Sequence, residues 1–449
     1  MLGAGTITLA ASADTSSLRF NASQINYIGI GEGNTLTTGG ILVGEGVGAH
    51  ATYIDGGILR SNSTGLSFTT SDLVIVQNNT LGDLIITANI DNNLGGTNTS
   101  TSLTKSGAGT VILDTATHNY SGTTKVVEGT LHLRTGNINT AGQYTLGGGS
   151  TSGKFKIGNN STSILVYSDW LQIDGYGTQN ALVGGGSLLS TFLLDGSNIT
   201  SDFRKGYIGG TGEYENNISI RMAADNAPLI LGANNTYAGK TTISFGIIEV
   251  EKLADLGQVS SLGTGTFNGT GLTADSGIID LSNRTTGSTG LNAYSVLRYI
   301  GSTDSSTNRV VRISNSDLPN EIISVVAVLE NNGTGLVKFT SAMQAGGSNP
   351  VERLLRLSGT NTGANSIVSI NNPSASILTR IEKTGTGTWA ITGASTHGGG
   401  TDILAGTLLA MNTGGSPDPP PAPETSPWPR ERPWAVPDGS HRAQGRTSP

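Results

Sequence analysis

The 449-residue chain contains no cysteine, so no disulfide bonds hold it together. Only 13% of its residues are charged and 5% are aromatic, whereas a typical soluble domain has roughly 25% charged residues. No apolar run approaches the roughly 18 residues of a membrane-spanning helix, so we predict no membrane insertion by this segment. These deficits argue against a small disulfide-rich domain, an ordinary helical or α/β enzyme and a helical membrane protein.

The few charges give no sign of a nucleic-acid partner. The formal net charge is −7, and it is spread thinly, without the basic patch that nucleic-acid binding requires. Residues 1–9 have neither the basic region nor the apolar region of a signal peptide, and their pattern is that of a strand. We therefore predict that the chain begins inside a longer protein and carries no signal peptide.

Glycine, in contrast, is abundant, with 66 residues, and much of the remainder is threonine, serine and asparagine. These residue types favour strands and turns over helix interiors. Valine, isoleucine and leucine alternate with polar residues over about the first 410 positions, which is the period of strands with one buried face. The sequence therefore predicts an all-β fold with a narrow continuous core.

An internal repeat indicates how the strands are arranged. Copy 1 (residues 103–133) reads LTKSGAGTVILDTATHNYSGTTKVVEGTLHL, and copy 3 (381–410) reads IEKTGTGTWAITGASTHGGGTDILAGTLLA. The more degraded copy 2 (228–250) reads PLILGANNTYAGKTTISFGIIEV. Each copy has the pattern strand, polar turn, strand, turn, strand. We therefore predict a β-solenoid over residues 1–413.

The predicted architecture is a right-handed parallel β-helix with about three short strands a turn, stacked at roughly 4.8 Å. Glycine at the start of a strand, as at Gly129, suits a sharp corner because it tolerates positive φ. With turns on the order of 22 residues, the folded part would form roughly 18 turns and a rod on the order of 85 Å long. A string of sandwich domains would need denser turn signals and more core aromatics.

Copies 1 and 3 resemble a known family. The strings 105–113, 119–124 and 128–131 resemble the autotransporter-associated β-strand repeat, and 383–389 matches it equally well. Copy 3 departs at its turn, where His397 and three glycines replace the usual Asn-Thr-Tyr-Thr-Gly. The resemblance implies a passenger region of a large exported bacterial surface protein, located outside the cell or at its surface. It supplies no catalytic residues.

We therefore predict a structural or adhesive passenger segment that is not an enzyme and uses no cofactor. The expected partners are extracellular polysaccharide and the surface of a host or neighbouring cell. The alternative function is a carbohydrate-binding or polysaccharide-cleaving β-helix that acts on a lateral face. A truncated reading frame without independent function is a third possibility.

Cleavage of a polysaccharide would need acidic and basic side chains from successive turns. Candidates lie in the most irregular stretch of the sequence: Asp174, Asp195, Asp202, Arg204 and Lys205. Asp-Gly dipeptides such as those at Asp174 and Asp195 are ordinary turn signals, and 202–205 has the character of a solvated loop. We predict no catalytic role for these residues.

Other motifs also point to structure. The string 232–242 ends like a phosphate-binding loop, but Asn234 stands where that loop needs glycine, and β-branched residues follow where it needs a helix. It aligns instead with the turn of copy 1. Asparagine-rich stretches at 77–80 and 215–217 suit stacked amide ladders, or else carbohydrate contact.

The histidines show no metal-ligand spacing, and we predict no metal site. They lie far apart at His50, His118, His132, His397 and His441. We predict that His118 and His397 occupy equivalent, solvated turns of copies 1 and 3. Neither a Gly-x-Ser-x-Gly elbow nor a calcium-binding nonapeptide array occurs.

Residues 414–449 have a different composition, with most of the prolines and no strand pattern. Such a segment cannot bury enough apolar surface to offset its chain entropy, which predicts a disordered tail. A frameshift is the other interpretation. Read out of phase with suitable codons, residues 427–438 can encode Val-Ala-Ala-Gly-Ala-Thr-Leu-Gly-Gly-Thr-Gly, which resumes the repeat.

Overall fold

A computed structural model describes residues 5–62, 70–93, 100–138, 142–196, 199–224, 227–267, 275–281, 294–314, 326–346 and 352–411. In these ranges the chain forms strands and one 3₁₀ helix, Glu45–Val47, with no α-helix. None of the described helical structure is long and apolar enough to cross a membrane. The predicted tail at 414–449 lies outside the described residues.

The strands are short and follow one another along the whole described chain. They are β1 (Thr6–Thr8), β2 (Ala13–Thr15), β3 (Leu18–Phe20), β4 (Asn26–Gly29), β5 (Thr35–Thr38), β6 (Gly40–Val43), β7 (Thr52–Asp55), β8 (Ile58–Ser61), β9 (Thr70–Gln77), β10 (Leu84–Ile86), β11 (Asn89–Asp91), β12 (Ser100–Ser106), β13 (Thr110–His118), β14 (Thr124–Val126), β15 (Gly129–Ile138), β16 (Gly142–Leu146), β17 (Gly153–Ile157), β18 (Leu165–Ile173), β19 (Ala181–Gly184), β20 (Ser190–Leu194), β21 (Ser201–Phe203), β22 (Tyr207–Ile208), β23 (Ile218–Ala223), β24 (Leu229–Leu231), β25 (Thr241–Val250), β26 (Ile279–Leu281), β27 (Tyr294–Tyr299), β28 (Ser305–Thr307), β29 (Val311–Ile313), β30 (Val326–Asn331), β31 (Val337–Phe339), β32 (Gln344–Ala345), β33 (Arg353–Gly359), β34 (Asn365–Ile367), β35 (Thr379–Lys383), β36 (Thr388–Ile391), β37 (Thr401–Ile403) and β38 (Thr407–Ala410).

Strands that are distant in sequence pair to form five sheets, which we label A to E. Sheet A has the order β1-β4-β7-β10-β13-β15-β17-β19-β22, sheet B has β2-β5-β8-β11, and sheet E has β28-β31-β34-β36-β38. Sheet C runs β3-β6-β9-β12-β14-β16-β18-β20-β23-β25-β26-β29-β32. Sheet D runs β21-β24-β25-β27-β30-β33-β35-β37.

The pairing is parallel in every sheet, for example between β1 and β4, β12 and β14, and β36 and β38. Each turn of chain therefore adds one strand to each face, and we call such a turn a rung. Strands up to β11 belong to sheets A, B and C, and those from β12 to β20 belong to sheets A and C. Strands from β23 to β27 belong to sheets C and D, and those from β28 to β32 belong to sheets C, D and E. The expected three strands a turn therefore occur near both ends of the solenoid. The predicted parallel β-helix is confirmed.

Strict alternation along the strands builds the core. In β12 the inward residues Thr101, Leu103 and Lys105 are buried, and the outward residues between them are partly exposed. Inward Val, Ile and Leu side chains from successive rungs form one continuous apolar cluster that extends from Leu18 to Trp389. A narrow core of this kind grows by stacking, so it needs neither helices nor disulfides.

Rung length is the property that the sequence predicted least well. In the three copies, residues paired on successive rungs are 19 to 21 positions apart, as for Leu103 with Thr124 and Thr388 with Thr407. Several N-terminal rungs are close to this length, and Ala13 pairs with Leu36, 23 positions further on. Later rungs carry longer loops, and Gly246 pairs with Ser295, 49 positions further on. The expected turn of about 22 residues therefore describes the copies and the N-terminal rungs, and it fails where long loops intervene.

The repeat lysine lies inside the solenoid at a corner between two sheets. Lys105 is 0% exposed, and its Nζ donates to the backbone carbonyls of Gly107 and Glu128, the latter at 2.7 Å. In copy 3, Lys383 Nζ donates to the carbonyls of Gly385 (2.9 Å) and Ala405 (3.1 Å). Each lysine thus joins the corner of its own rung to that of the next.

The strand that precedes copy 2, β23, has a methionine at the equivalent corner. Ile220 pairs with Thr241 as Leu103 pairs with Thr124, so Met222, two residues later, takes the position of Lys105. Met222 is 1% exposed. The corner therefore accepts an unbranched side chain with or without an amine, because a thioether fills the same narrow space.

A hydrogen bond between a ring and a threonine closes the turn of each copy. Tyr120 bonds Thr124 Oγ1 at 2.8 Å, and Tyr237 bonds Thr241 Oγ1 at 2.8 Å. Both tyrosines are buried, and burial raises the pKa of Tyr237 to about 12. In copy 3, His397 Nε2 lies 2.8 Å from Thr401 Oγ1, so histidine replaces tyrosine with the bond retained.

Glycine at the last corner of a copy is expected to be irreplaceable. Gly129 has φ +67°, and a Cβ there would lie 2.5 Å from both Gly107 O and Lys105 Nζ. Gly400 has φ +87° but open space around it. We expect Gly400→Ala to cost about 1–2 kcal/mol from φ strain alone, and Gly129→Ala to cost more because of the added clash.

The measurement is the opening free energy of amides in the strand that follows each glycine, by hydrogen exchange. If Gly129→Ala and Gly400→Ala lowered the opening free energy equally, close packing around Gly129 would add nothing to the effect of φ strain.

Candidate functional site

A groove on the outer face of sheet C is lined by hydroxyl-bearing, charged and apolar side chains. Its volume is about 360 Å³. We call it the sheet C groove. Its lining includes Ser163, Leu165, Leu189, Thr191, Ser219, Arg221, Lys240, Thr242, Asp275 and Ser276.

The floor of the groove consists of outward side chains from successive rungs. Leu165 on β18 pairs with Thr191 on β20, which pairs with Ser219 on β23. Two residues after Ser219 on the same strand, Arg221 pairs with Thr242 on β25. Stacked parallel strands thus place these side chains in rows that run along the solenoid axis.

An ion network adjoins the groove on the same face. Asp280 on β26 has a fully buried side chain and bonds Lys240 (2.5 Å), Arg312 (2.7 Å) and Ser314 (2.7 Å). Arg312 also bonds Asp275 at 2.9 Å. The register explains the cluster, because Thr242 pairs with Asp280 and Asp280 with Arg312. Three rungs therefore meet in one network.

The network fixes the charge of its members. Burial alone favours the neutral carboxyl of Asp280, but the bonds from Arg312 and Lys240 and the lysine's charge outweigh it and lower the pKa. Burial lowers the pKa of Arg221 because it disfavours the charged guanidinium. Electrostatic attraction from Tyr167 and Asp280 offsets part of this shift. Arg221 Nε donates to Ser244 Oγ at 3.0 Å.

The acidic candidates from the irregular stretch do not converge on one site. Asp174 pairs with Lys125 at 2.6 Å, and that bond lowers the pKa of Asp174. Burial, and then the charge of Asp169, raises the pKa of Asp195. Asp174 and Asp195 thus each have a local partner or a like-charged neighbour, and neither is among the residues that line the cavity formed by the other three candidates.

The remaining candidates lie together. Asp202, Arg204 and Lys205 line a second cavity, of about 380 Å³, with Glu251. Asp202 and Arg204 form a largely exposed pair at 2.5 Å, which lowers the pKa of Asp202. Asp202 belongs to β21, which ends at Phe203, so the predicted loop begins at Arg204, two residues later than expected.

The prediction for His118 was wrong. His118 ends β13 and is 0% exposed, and burial lowers its pKa to about 4. It is also not equivalent to His397, which takes the place of Tyr120 and is partly buried. His132 is 9% exposed, and burial lowers its pKa to about 4, although a bond to Gly158 O (2.9 Å) opposes this shift. The buried histidines are neutral packing residues.

Side-chain amides in the two predicted asparagine-rich stretches bond to backbone carbonyls. Gln77 donates to Gly82 O at 3.0 Å, and Asn217 donates to Gly186 O at 2.9 Å. A stacked amide pair does occur elsewhere, between Asn331 and Asn365 at 2.6 Å. The two predicted stretches therefore hold loops in place, and the amide ladder lies on sheets D and E.

The string that ends like a phosphate-binding loop leads into β25, as its β-branched residues predicted. Its lysine, Lys240, belongs to the ion network instead. Over the described part of the chain, no three His, Asp or Glu side chains are grouped to hold a metal ion.

Sequence reasoning missed the groove. Arg221 lies in β23, Asp280 lies in β26 and Lys240 directly precedes β25, and nothing in the local sequence distinguishes them. The signal that could have found them is the register of β23, β25 and β26, which depends on loop lengths that differ from rung to rung.

Comparisons with known proteins agree with the repeat. The family model described as passenger-associated-transport-repeat matches residues 103–133, 229–250 and 381–410, the same stretches as copies 1, 2 and 3 apart from residue 228. The Adhesin BmaC autotransporter of Brucella suis biovar 1 (strain 1330) is 32% identical over 297 residues. That alignment covers 64% of this chain and 7% of the relative, so the chain spans a small part of that protein's length. No solved structure matches the chain.

Proposed function

We propose that this chain, which carries three passenger-associated-transport repeats, is an adhesive passenger segment displayed at the bacterial cell surface. The repeats and the likeness to an autotransporter adhesin support the passenger role. In this proposal the segment holds a contact surface away from the cell and binds a host cell, a neighbouring cell or extracellular polysaccharide. It performs no catalysis.

The observation that carries the proposal is the unbroken register of rungs. Sheet C continues from β3 to β32, while sheets A and D extend the stack at either end. A solenoid of this kind presents long lateral faces whose outward residues recur at about 4.8 Å. Such faces suit extended contact with a surface or a polymer.

The structure also suits folding outside the cell. Its stability comes from contacts between neighbouring rungs, with no cysteine to oxidise. Folding can therefore start at one rung and add the next, without a contact between the chain's distant parts.

A display experiment tests the adhesive role. Bacteria that display the full-length protein are compared with bacteria whose copy lacks residues 5–411, and adhesion to cultured cells and to immobilised polysaccharide is counted. We expect at least a several-fold loss of adhesion without the segment. An antibody against another part of the protein controls for surface level. Undiminished adhesion at equal display would contradict the proposal.

A further inference from the structure

We propose that the cavity lined by Ile173, Asp202, Arg204, Lys205 and Glu251 binds an extended peptide with one basic and one acidic residue two positions apart. We call it the β21–β25 cavity. This inference rests on the proposed adhesive function and names a protein as the partner on one side of the solenoid. It is supported by the register that opens the cavity, by two charged side chains without a partner and by the size of the cavity.

A glycine between two charged residues opens the cavity. Strand β21 pairs with β24, and β24 pairs with β25. The residues that directly follow these strands are Arg204, Gly232 and Glu251, one on each of three successive rungs. A Cβ at Gly232 would lie 2.8 Å from Arg204 O. Because glycine adds no side chain there, Arg204 and Glu251 lie on opposite sides of a gap of two rung spacings, about 9.6 Å.

The two sides of the cavity present opposite charges. On one side, Arg204 Nε and Nη2 bond the Asp202 carboxylate at 2.9 and 2.5 Å, which leaves Lys205 as the second cation. On the other side, the backbone N–H of Glu251 donates to Ser261 Oγ at 3.1 Å. Within the part of the chain that the structure describes, neither the Lys205 ammonium nor the Glu251 carboxylate has an ion pair or a hydrogen bond.

This arrangement selects a ligand that bears both charges. The lining contains two cations and two carboxylates, so it has no excess charge that would favour a purely acidic or a purely basic ligand. The two sides also sense each other, since the bond to Asp202 raises the pKa of Arg204 and the charge of Glu251 adds to this rise. A ligand that pairs with both Lys205 and Glu251 must hold its own charges several ångströms apart. A free amino acid fails this condition because its ammonium and carboxylate share one carbon atom.

An extended peptide meets the condition. Residues two positions apart project to the same side of an extended chain and are separated by about 7 Å. The long, flexible stem of a lysine covers the remaining distance. The cavity volume of about 380 Å³ lies within the range of roughly 300–1,000 Å³ for ligand pockets. Ile173 supplies apolar surface for the methylene groups of the ligand's lysine.

Fluorescence anisotropy of a dye-labelled peptide, titrated with the 449-residue chain, tests the inference. The probe is acetyl-Gly-Lys-Gly-Asp-Gly-amide, whose blocked ends carry no charge. Two matched peptides have glutamine in place of the lysine, or asparagine in place of the aspartate. We expect the probe to bind and its binding to weaken with added salt. Each replacement should weaken binding about fivefold, because it removes one partly exposed ion pair.

Two cavity variants assign each charge of the peptide to its partner. In Lys205→Gln, the aspartate and asparagine peptides should bind equally, while lysine in the peptide should still bind better than glutamine. Glu251→Gln should show the reverse pattern. The matched controls Lys338→Gln and Glu32→Gln remove exposed charges elsewhere and should keep both preferences. Hydrogen exchange of β21 and β25 checks that each variant is folded.

Several outcomes would overturn the inference: no binding of the probe, equal binding of the matched peptides, unchanged preferences in both folded cavity variants, or tighter binding of an uncharged oligosaccharide, cellotetraose, that either cavity variant weakens. Those results would leave adhesion by the displayed protein intact. Conversely, the expected peptide binding together with undiminished adhesion after removal of residues 5–411 would contradict the adhesive function alone.

Discussion

Lys105→Met is expected to stabilise the rung of copy 1 at pH 7 by about 1–4 kcal/mol. The lysine is fully buried at its corner, and burial lowers its pKa to about 7, with only a partial opposing effect of the Glu128 charge. Methionine fills the same space without a charge to desolvate. The protein already contains this solution, since Met222 on β23 occupies the equivalent corner of the rung that leads into copy 2.

The pH dependence gives the sharper test. A free lysine titrates near 10.4, so between about pH 7 and 10.5 the unfolded chain binds more protons at this residue than the folded chain does. Wild-type stability at this rung should therefore rise with pH through that window. Lys105→Met has no such group, and its advantage over wild type should shrink between pH 7 and pH 10.

Lys105→Ala separates the effect of side-chain volume on stability from the effect of the buried charge. Alanine also removes the charge but leaves a cavity beside the carbonyls of Gly107 and Glu128, so we expect it to be about 2–5 kcal/mol less stable than the methionine variant. Neither variant titrates here, so this difference should not depend on pH. The opening free energies of β13 and β15 amides, by hydrogen exchange, supply the numbers. A methionine variant less stable than wild type at pH 7 would contradict this account of the corner.

Asp280→Ala is the second large effect that we expect. Its carboxylate is fully buried between Lys240 and Arg312, so its removal takes away the carboxylate that bonds Lys240 and leaves Arg312 with Asp275. Breaking a buried pair in this way costs about 3–5 kcal/mol. The loss should appear in hydrogen exchange of β25, β26 and β29, and leave β5 and β8 unchanged, because solenoid rungs interact mainly with their neighbours.

Asp202→Ala is the matched control. Asp202 also pairs with an arginine, Arg204, but both side chains are more than 40% exposed, and exposed pairs contribute only about 0–1 kcal/mol. The pH dependence of stability provides a second check. Because the pKa of Asp280 is lowered in the folded chain, its ion pairs stabilise the fold above about pH 4, and this stabilisation is lost on further acidification. Equal effects of the two alanine variants would contradict the buried network.

Much of the fold could be predicted because its rules are local. Alternation in β12 and β15, and glycine at the corner formed by Gly129, follow from the strand period and from positive φ. The copies at 103–133 and 381–410 then indicate stacking, since one such unit alone cannot bury its apolar face.

The sequence predictions failed where the surroundings of a residue depend on a neighbouring rung. His118 lies near a turn in sequence, yet it is buried because β13 extends to that residue against β15. The burial of Lys105 follows from its alternation with Leu103, but its partners include a carbonyl 23 residues away, that of Glu128. The groove depends on registers such as Thr242 with Asp280, across a loop of irregular length.

Distance measurement between two spin labels tests the stacked β-helix most directly, and the absence of native cysteine makes the labelling clean. Tyr167 and Gln344 are exposed outward positions at the ends of one row of sheet C. The row runs Tyr167, Leu193, Arg221, Thr242, Asp280, Arg312 and Gln344.

In the Tyr167→Cys/Gln344→Cys variant, six rung spacings separate the labelled backbones by about 29 Å. We expect one narrow distance distribution near that value, broadened only by the label arms. A broad distribution, or one centred at more than about twice that distance, would contradict a continuous solenoid and with it the placement of the lateral groove.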